Sequence, residues 1–323
     1  MESSAPPCFQ NENGNAGQRI VLAMPGNHAS AAKLADALGA RMGQADIERF
    51  PDGESRVRLR TPVSGAEVVM VCTLDRPDEK VLPLLWLAIA VREAGAGRAG
   101  LVAPYLAYMR QDAIFQSGEI RAAEHFAAML SRYVDWVVAV EPHLHRIPAL
   151  SDLFSVPSAA VPTAPCIAAW LRANVRAPFL IGPDEESRRQ VQAVAALCGA
   201  DWTVLKKTRR TAWDVDVAAM DAAPAAGCTP VLVDDIASTG RTLIAAAGQI
   251  RAAGLPKPLC VVAHPIFAGP AYAELAAHVA DVVTCDTIAH PSNRIAVTEP
   301  MARAVRSMFD LPRPRAEPGL VRS

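Results

Sequence analysis

The residues with the clearest chemical potential are two adjacent acids, Asp234 and Asp235, and the small and hydroxyl residues after them, Ser238, Thr239, Gly240 and Thr242. The apolar run Val231-Leu232-Val233 precedes the acids, and Leu243 continues into a stretch with helical spacing. The pattern predicts a strand, a tight loop and a helix. Such a loop aims backbone N–H groups and hydroxyls at one point, at the positive end of a helix dipole, which suits a phosphate. Two carboxylates at the strand end suit sugar hydroxyls or a hydrated metal ion. A plain strand–loop–helix capped by Ser238 or Thr239 explains the hydroxyls but not the paired acids.

Other groups gain meaning beside a phosphate site. Lys206-Lys207-Thr208-Arg209-Arg210 holds two of only five lysines in the chain. Clustered cations suit a transferring phosphoryl group, and a solvated charge run accounts for them as simply. Arg110 and Gln111 follow a strand, where the guanidinium suits phosphate oxygens and the amide a base edge. The alternative is a surface loop with an Arg110–Asp112 pair. His143, with Glu141 and His145 close by, closes another strand and suits a metal or its water shell; a structural histidine is the competing reading. Asp184 follows a strand and suits magnesium or a sugar hydroxyl, while Glu185 and Glu186 fit a first helical turn by the macrodipole alone. In Arg49-Phe50-Pro51-Asp52-Gly53-Glu54, Pro51 and Gly53 supply turn geometry. Phe50 could stack on a base while Asp52 and Glu54 take amine hydrogens, or the segment is only a turn.

These residues need elements to hold them. Strands are expected at 19–24, 67–73, 100–104, 136–140, 179–182, 202–205, 230–234, 259–263 and 281–285. Helical patterns lie between them at 28–38, 78–93, 121–132, 185–197, 242–253 and 271–279. Alternation of this kind, with apolar strands, means an α/β fold of mostly parallel sheet flanked by helices. There are too many units for one open sheet, so two domains are expected, 18–160 and 161–310, divided in the Pro-rich stretch 156–165. Flexible tails are expected at 1–17 and 311–323. Ligands of open parallel sheets gather at the carboxyl ends of strands, where most of the candidate residues fall.

Composition narrows the classes. The chain has 323 residues, 51% of them hydrophobic, and a net charge of −1. No basic tract argues for nucleic acid or an acidic membrane. The seven cysteines are scattered without a CxxC pair, which fits reduced thiols in a cytoplasm. No apolar helical run is long enough to cross a bilayer, and the polar N-terminus lacks the pattern of a signal peptide.

Taken in order, Gly26-Asn27, Phe50-Pro51-Asp52-Gly53-Glu54, Arg110-Gln111-Asp112, Glu141-Pro142-His143, Asp184, Lys207-Thr208-Arg209, the Asp234–Thr242 loop and Cys285-Asp286-Thr287-Ile288 resemble the ribose-phosphate pyrophosphokinase family. The resemblance spans about residues 18–310. It implies two tandem type I phosphoribosyltransferase-like domains and transfer of the β,γ-pyrophosphoryl group of ATP to the 1-hydroxyl of ribose 5-phosphate, giving 5-phosphoribosyl 1-pyrophosphate (PRPP) and AMP. It implies that Ser238, Thr239, Gly240 and Thr242 cradle the 5-phosphate and that Asp234 and Asp235 hold the ribose hydroxyls. Arg110 and Gln111 would contact ATP, with Phe50, Asp52 and Glu54 completing the adenine site from a neighbouring subunit, so a homo-oligomer is implied. His143 and Asp184 would serve Mg2+, and Lys207 and Arg209 match the family's K-x-R on a catalytic loop. Ala113 and Ile114 stand where basic residues are common, Glu185 and Glu186 where small ones are, and Arg241 where glycine is. A catalytically silent nucleotide-binding homologue and a PRPP-consuming phosphoribosyltransferase are the alternatives.

Overall fold

The apolar runs of the first half carry no polar alternation, and they become strands covered on both faces: Glu67–Val71, Arg98–Ala103 and Trp136–Val140 are buried at every position. The computed structural model describes residues 17–205, 207–209, 215–217, 225 and 227–312. Most of each expected tail, and Lys206, lie outside the described residues. For Lys207 and Arg209 only the backbone is described.

In chain order the elements begin with β1 (Arg19–Ala23), α1 (His28–Leu38), β2 (Arg41–Met42), β3 (Ala45–Arg49), β4 (Ser55–Leu59), β5 (Glu67–Val71), α2 (Pro77–Glu93), β6 (Arg98–Ala103), α3 (Ala122–Ser131), β7 (Trp136–Val140) and β8 (Ser158–Val161). There follow α4 (Ala164–Asn174), β9 (Pro178–Gly182), α5 (Arg188–Cys198), β10 (Trp202–Val204), β11 (Lys207–Arg209), β12 (Val215–Val217) and β13 (Thr229–Ala237). The chain continues through α6 (Arg241–Ala252), β14 (Leu259–Pro265), α7 (Ala271–His278), β15 (Asp281–Cys285), β16 (Asn293–Ile295) and α8 (Thr298–Phe309).

The chain divides into two units. One runs to Val161 and resumes at Thr298; the other is Pro162–Val297. The first unit has a parallel sheet in the order β2-β1-β5-β6-β7-β8, the second a parallel sheet in the order β10-β9-β13-β14-β15-β16. In each, an antiparallel hairpin follows the edge strand: β3–β4 in the first unit and β11–β12 in the second. Strand for strand the two topologies are the same. The hairpin that carries Phe50, Asp52 and Glu54 therefore corresponds to the hairpin that carries Lys207 and Arg209. In each sheet the strand order reverses at one place, between β1 and β5 and between β9 and β13. That is where open α/β sheets form a crevice for ligands.

The expectation that the second domain runs to residue 310 is corrected for its last helix. α8 belongs to the first unit, where it packs on α1, β7 and β8. Met301, Ala302, Val305 and Met308 are its buried face. The C-terminal end of α8 is held by Arg98, whose guanidinium is 5% exposed and pairs with Glu67 at 2.9 Å. The same guanidinium donates to the carbonyls of Met308 at 3.2 Å, Phe309 at 2.7 Å and Leu311 at 2.9 Å. Orphan carbonyls at a helix end are thus satisfied by a side chain from the sheet.

Candidate active site

The phosphate-type loop of the second unit differs from expectation in one respect. β13 continues through Asp234 and Asp235 to Ala237, because its ladder with β14 runs on to Ile236↔His264 and Ala237↔Pro265. The two acids are therefore the last polar positions within the strand, both half-buried, and only Ser238 and Thr239 form the loop. Gly240 is the N-cap of α6 with φ 72°, a left-handed conformation natural to glycine. No side chain among the described residues caps this helix, so the capping reading of Ser238 and Thr239 does not hold. Thr239 and Thr242 are exposed on either side of buried Gly240, at a helix start whose first-turn N–H groups have no intrahelical partner. The other side of the loop is pinned, since Phe267 N–H donates to Ala237 O at 2.9 Å and Ala268 N–H to Ser238 O at 3.0 Å.

Asp184 follows the neighbouring strand β9. The strand ends on Gly182, where a Cβ would fall 2.3 Å from Ser187 Oγ, so the chain can fold back tightly only with glycine there. Asp184 accepts the Glu186 N–H at 3.1 Å and its carbonyl accepts the Ser187 hydroxyl at 2.6 Å. The helix expected from residue 185 starts instead as a 3-10 turn, Glu185–Ser187, and becomes α-helical at Arg188. Glu185 pairs with Arg188 at 2.8 Å, which offsets part of the added negative charge. Asp184, Asp234, Asp235 and the Ser238–Thr242 segment thus end adjacent strands at the reversal point of the second sheet.

In the first unit, Arg110 and Gln111 sit exposed after β6. The Gln111 N–H donates to Tyr108 O at 3.0 Å and closes a β-turn around them. Asp112 does not pair with Arg110. Its side chain is 1% exposed and accepts from Arg146 at 2.8 Å. Beyond it, Ile114 and Phe115 are 58% and 60% exposed. His143, after the adjacent strand β7, packs its ring in a T-shape on His145 with centroids 4.0 Å apart.

Phe50, Asp52 and Glu54 occupy the tip of the β3–β4 hairpin. Phe50 is 43% exposed and lies under the Arg56 guanidinium at 5.9 Å. Asp52 accepts the Glu54 N–H at 3.1 Å, so it helps build the turn. Lys207 and Arg209 lie two apart in β11, paired with Val217 and Val215.

Left-handed backbone at non-glycine residues marks the same edges. Of five such residues among the described ones, Arg76, Tyr108, Glu141 and Phe267 each lie in a loop that follows a sheet strand. Strain of this kind persists where surrounding contacts over-determine it, commonly at ligand sites. Residues that the motif reading did not assign hold these loops. Asn27 Oδ1 accepts the Thr73 N–H at 2.8 Å, and Lys80 donates to Thr73 O at 2.9 Å while pairing with Asp75. These bonds tie the loops after β1 and β5 at the first sheet's reversal point. The signal available in the sequence was Lys80 itself, one of few lysines. Burial pushes the Cys72 thiol up to about 12 and raises that of Cys260, so neither supplies a thiolate at neutral pH.

An uncapped helix start after paired strand acids, on a sheet of this order, defines a phosphoribosyltransferase-type unit. Residues 166–302 match the phosphoribosyl transferase domain, and residues 19–133 match the N-terminal domain of ribose phosphate pyrophosphokinase. The ribose-phosphate pyrophosphokinase of Methanopyrus kandleri is 31% identical over 292 residues, 90% of this chain and 99% of that protein. That of Halobacterium salinarum is 33% identical over 289 residues, 88% of this chain and all of its own. The crystal structure of phosphoribosylpyrophosphate synthetase from Mycobacterium smegmatis has the same fold, with TM-score 0.79 at 20% identity, covering 91% of this chain and 99% of that one. The chain belongs to the ribose-phosphate pyrophosphokinase family. No helix among the described residues is long and apolar enough to cross a membrane.

Proposed function

We propose that the protein transfers the β,γ-pyrophosphoryl group of ATP to the 1-hydroxyl of ribose 5-phosphate, giving PRPP and AMP. The observation that carries this reading is the start of α6: left-handed Gly240 with no side-chain cap, hydroxyls on either side, and half-buried Asp234 and Asp235 just before it. A 5-phosphate at the helix start would bring ribose hydroxyls toward the two acids. Arg110 and Gln111 bind ATP, and the exposed ring of Phe50, with Asp52 and Glu54, completes the adenine site of a neighbouring copy in a homo-oligomer.

The 1-hydroxyl oxygen attacks the β-phosphorus, the bond from that phosphorus to the bridging α–β oxygen breaks, and AMP leaves. The hydroxyl proton passes to solvent. Negative charge spreads over phosphate oxygens, and Lys207 and Arg209 stabilise it. The donor set fits magnesium. Asp184 is a half-buried carboxylate, a hard oxygen ligand, and the His143 imidazole suits the metal's water shell better than the ion itself. Asp184 and His143 would each serve a magnesium site of their own unit, and the metal when bound would neutralise phosphate charge. Cytoplasmic nucleotide metabolism is the setting this reaction fits.

The test is separation of the nucleotide products. AMP forms only when ribose 5-phosphate is present, and ADP as the main product would refute the assignment. Gly240→Ala forces a left-handed alanine at a cost of about 1 kcal/mol, displacing the N–H groups that meet the phosphate. The Michaelis constant for ribose 5-phosphate rises about tenfold while that for ATP holds. Equal changes in both constants would argue against a phosphate site there.

A further inference from the structure

We propose that Tyr108 is a positioning residue of the nucleotide site: its hydroxyl, donated to Asp78 in the first turn of α2, braces the turn that presents Arg110 and Gln111. The proposal rests on the assignment of those two residues to ATP.

Tyr108 is the first residue of the β-turn Tyr108-Met109-Arg110-Gln111, closed by the Gln111 N–H to Tyr108 O bond at 3.0 Å. Its φ is 65°, a conformation that glycine or asparagine adopts readily and a bulky aromatic residue does not. Three attachments compensate. The hydroxyl bonds Asp78, the ring packs against Phe126 of α3 with centroids 4.7 Å apart, and the carbonyl closes the turn. Met109 is 1% exposed and anchors the turn in the core. The Gln111 carbonyl accepts the Ala123 N–H at 3.3 Å. The turn is thus held on both sides of Arg110, by the Tyr108 and Gln111 backbone bonds and by the buried Met109 side chain, and the Arg110 and Gln111 side chains are the exposed ones.

The hydroxyl contact is the one that reaches out of this loop to α2. The Asp78 carboxylate pushes the phenol up to about 12, so Tyr108 remains a donor throughout the neutral range. α2 thereby braces two strand-end loops from its first turn: Asp78 holds the loop after β6, and Lys80 holds the loop after β5 through Thr73 and Asp75. A guanidinium held in place before ATP arrives loses less freedom on binding, and that gain appears in the Michaelis constant for ATP.

The experiment is steady-state kinetics with both substrates on Tyr108→Phe, Asp78→Asn, the double variant and Arg110→Ala, with thermal melting of each. Tyr108→Phe keeps the ring contact with Phe126 and removes only the hydroxyl. The expected result is an ATP Michaelis constant raised about tenfold, with turnover and the ribose 5-phosphate constant within about twofold. The double variant is no worse than either single one, because both remove the same bond. An unchanged ATP constant in Tyr108→Phe beside a raised one in Arg110→Ala would overturn the brace alone. Fully additive effects in the double variant would also overturn it. An unchanged constant in Arg110→Ala would overturn the nucleotide assignment and the brace with it.

Discussion

Lys207→Ala lowers turnover about a thousandfold and leaves both Michaelis constants within about threefold. A phosphoryl-transfer step has little covalent work for the protein, so a cation that meets charge developing on the moving group acts mainly in the transition state. Removing it lowers turnover and catalytic efficiency together. Positions 207 and 209 are two apart in β11, so they share one face of the hairpin, which accounts for the spacing of K-x-R. Arg209→Ala has a similar effect, and the double variant falls well short of the product of the two. Steady-state kinetics against both substrates measures this. Turnover unchanged in Lys207→Ala would remove this residue from the chemistry.

Arg98→Ala destabilises the first unit by about 3–5 kcal/mol. The guanidinium is buried, pairs with buried Glu67 and satisfies the carbonyls of Met308, Phe309 and Leu311. Alanine leaves the Glu67 carboxylate without its buried guanidinium and strips the α8 end of its cap. Arg98→Lys restores the charge but not the planar fork, so it recovers only part of the loss. Urea unfolding followed by a signal from the first unit, such as Trp136 fluorescence, is the check. A loss below about 1 kcal/mol would mean that α8 is held by its apolar face alone.

The strands legible in the sequence were those with apolar runs, continuous in β7 and broken by Thr284 in β15, and the bounds of both match the expected ones. Short edge strands, β2, β8 and β16, have two to four residues and too little pattern to announce themselves. In the β3–β4 hairpin, β4 alternates exposed arginines with more buried residues but β3 does not alternate, and only the turn was readable. The apolar stripe of α8 predicts burial but not which sheet it covers. That choice is made with Arg98, about 210 positions earlier in sequence. Candidate site residues were legible because parallel sheets gather ligands at strand ends. Their supports were not: Tyr108 and Asp78 are 30 positions apart, and a hydroxyl–carboxylate bond has no local signature. The capping bond of Asp184 was hidden for a related reason, since an acid before a helix suits a cap and a metal equally.

Intact pyrophosphoryl transfer is read out by phosphorus NMR of the protein with ATP, magnesium and ribose 5-phosphate, beside a sample lacking the sugar. AMP appears together with two coupled diphosphate signals on the sugar product, and neither appears in the control. ADP with inorganic phosphate, or an unchanged ATP spectrum, would contradict intact transfer of the β,γ-pyrophosphoryl group.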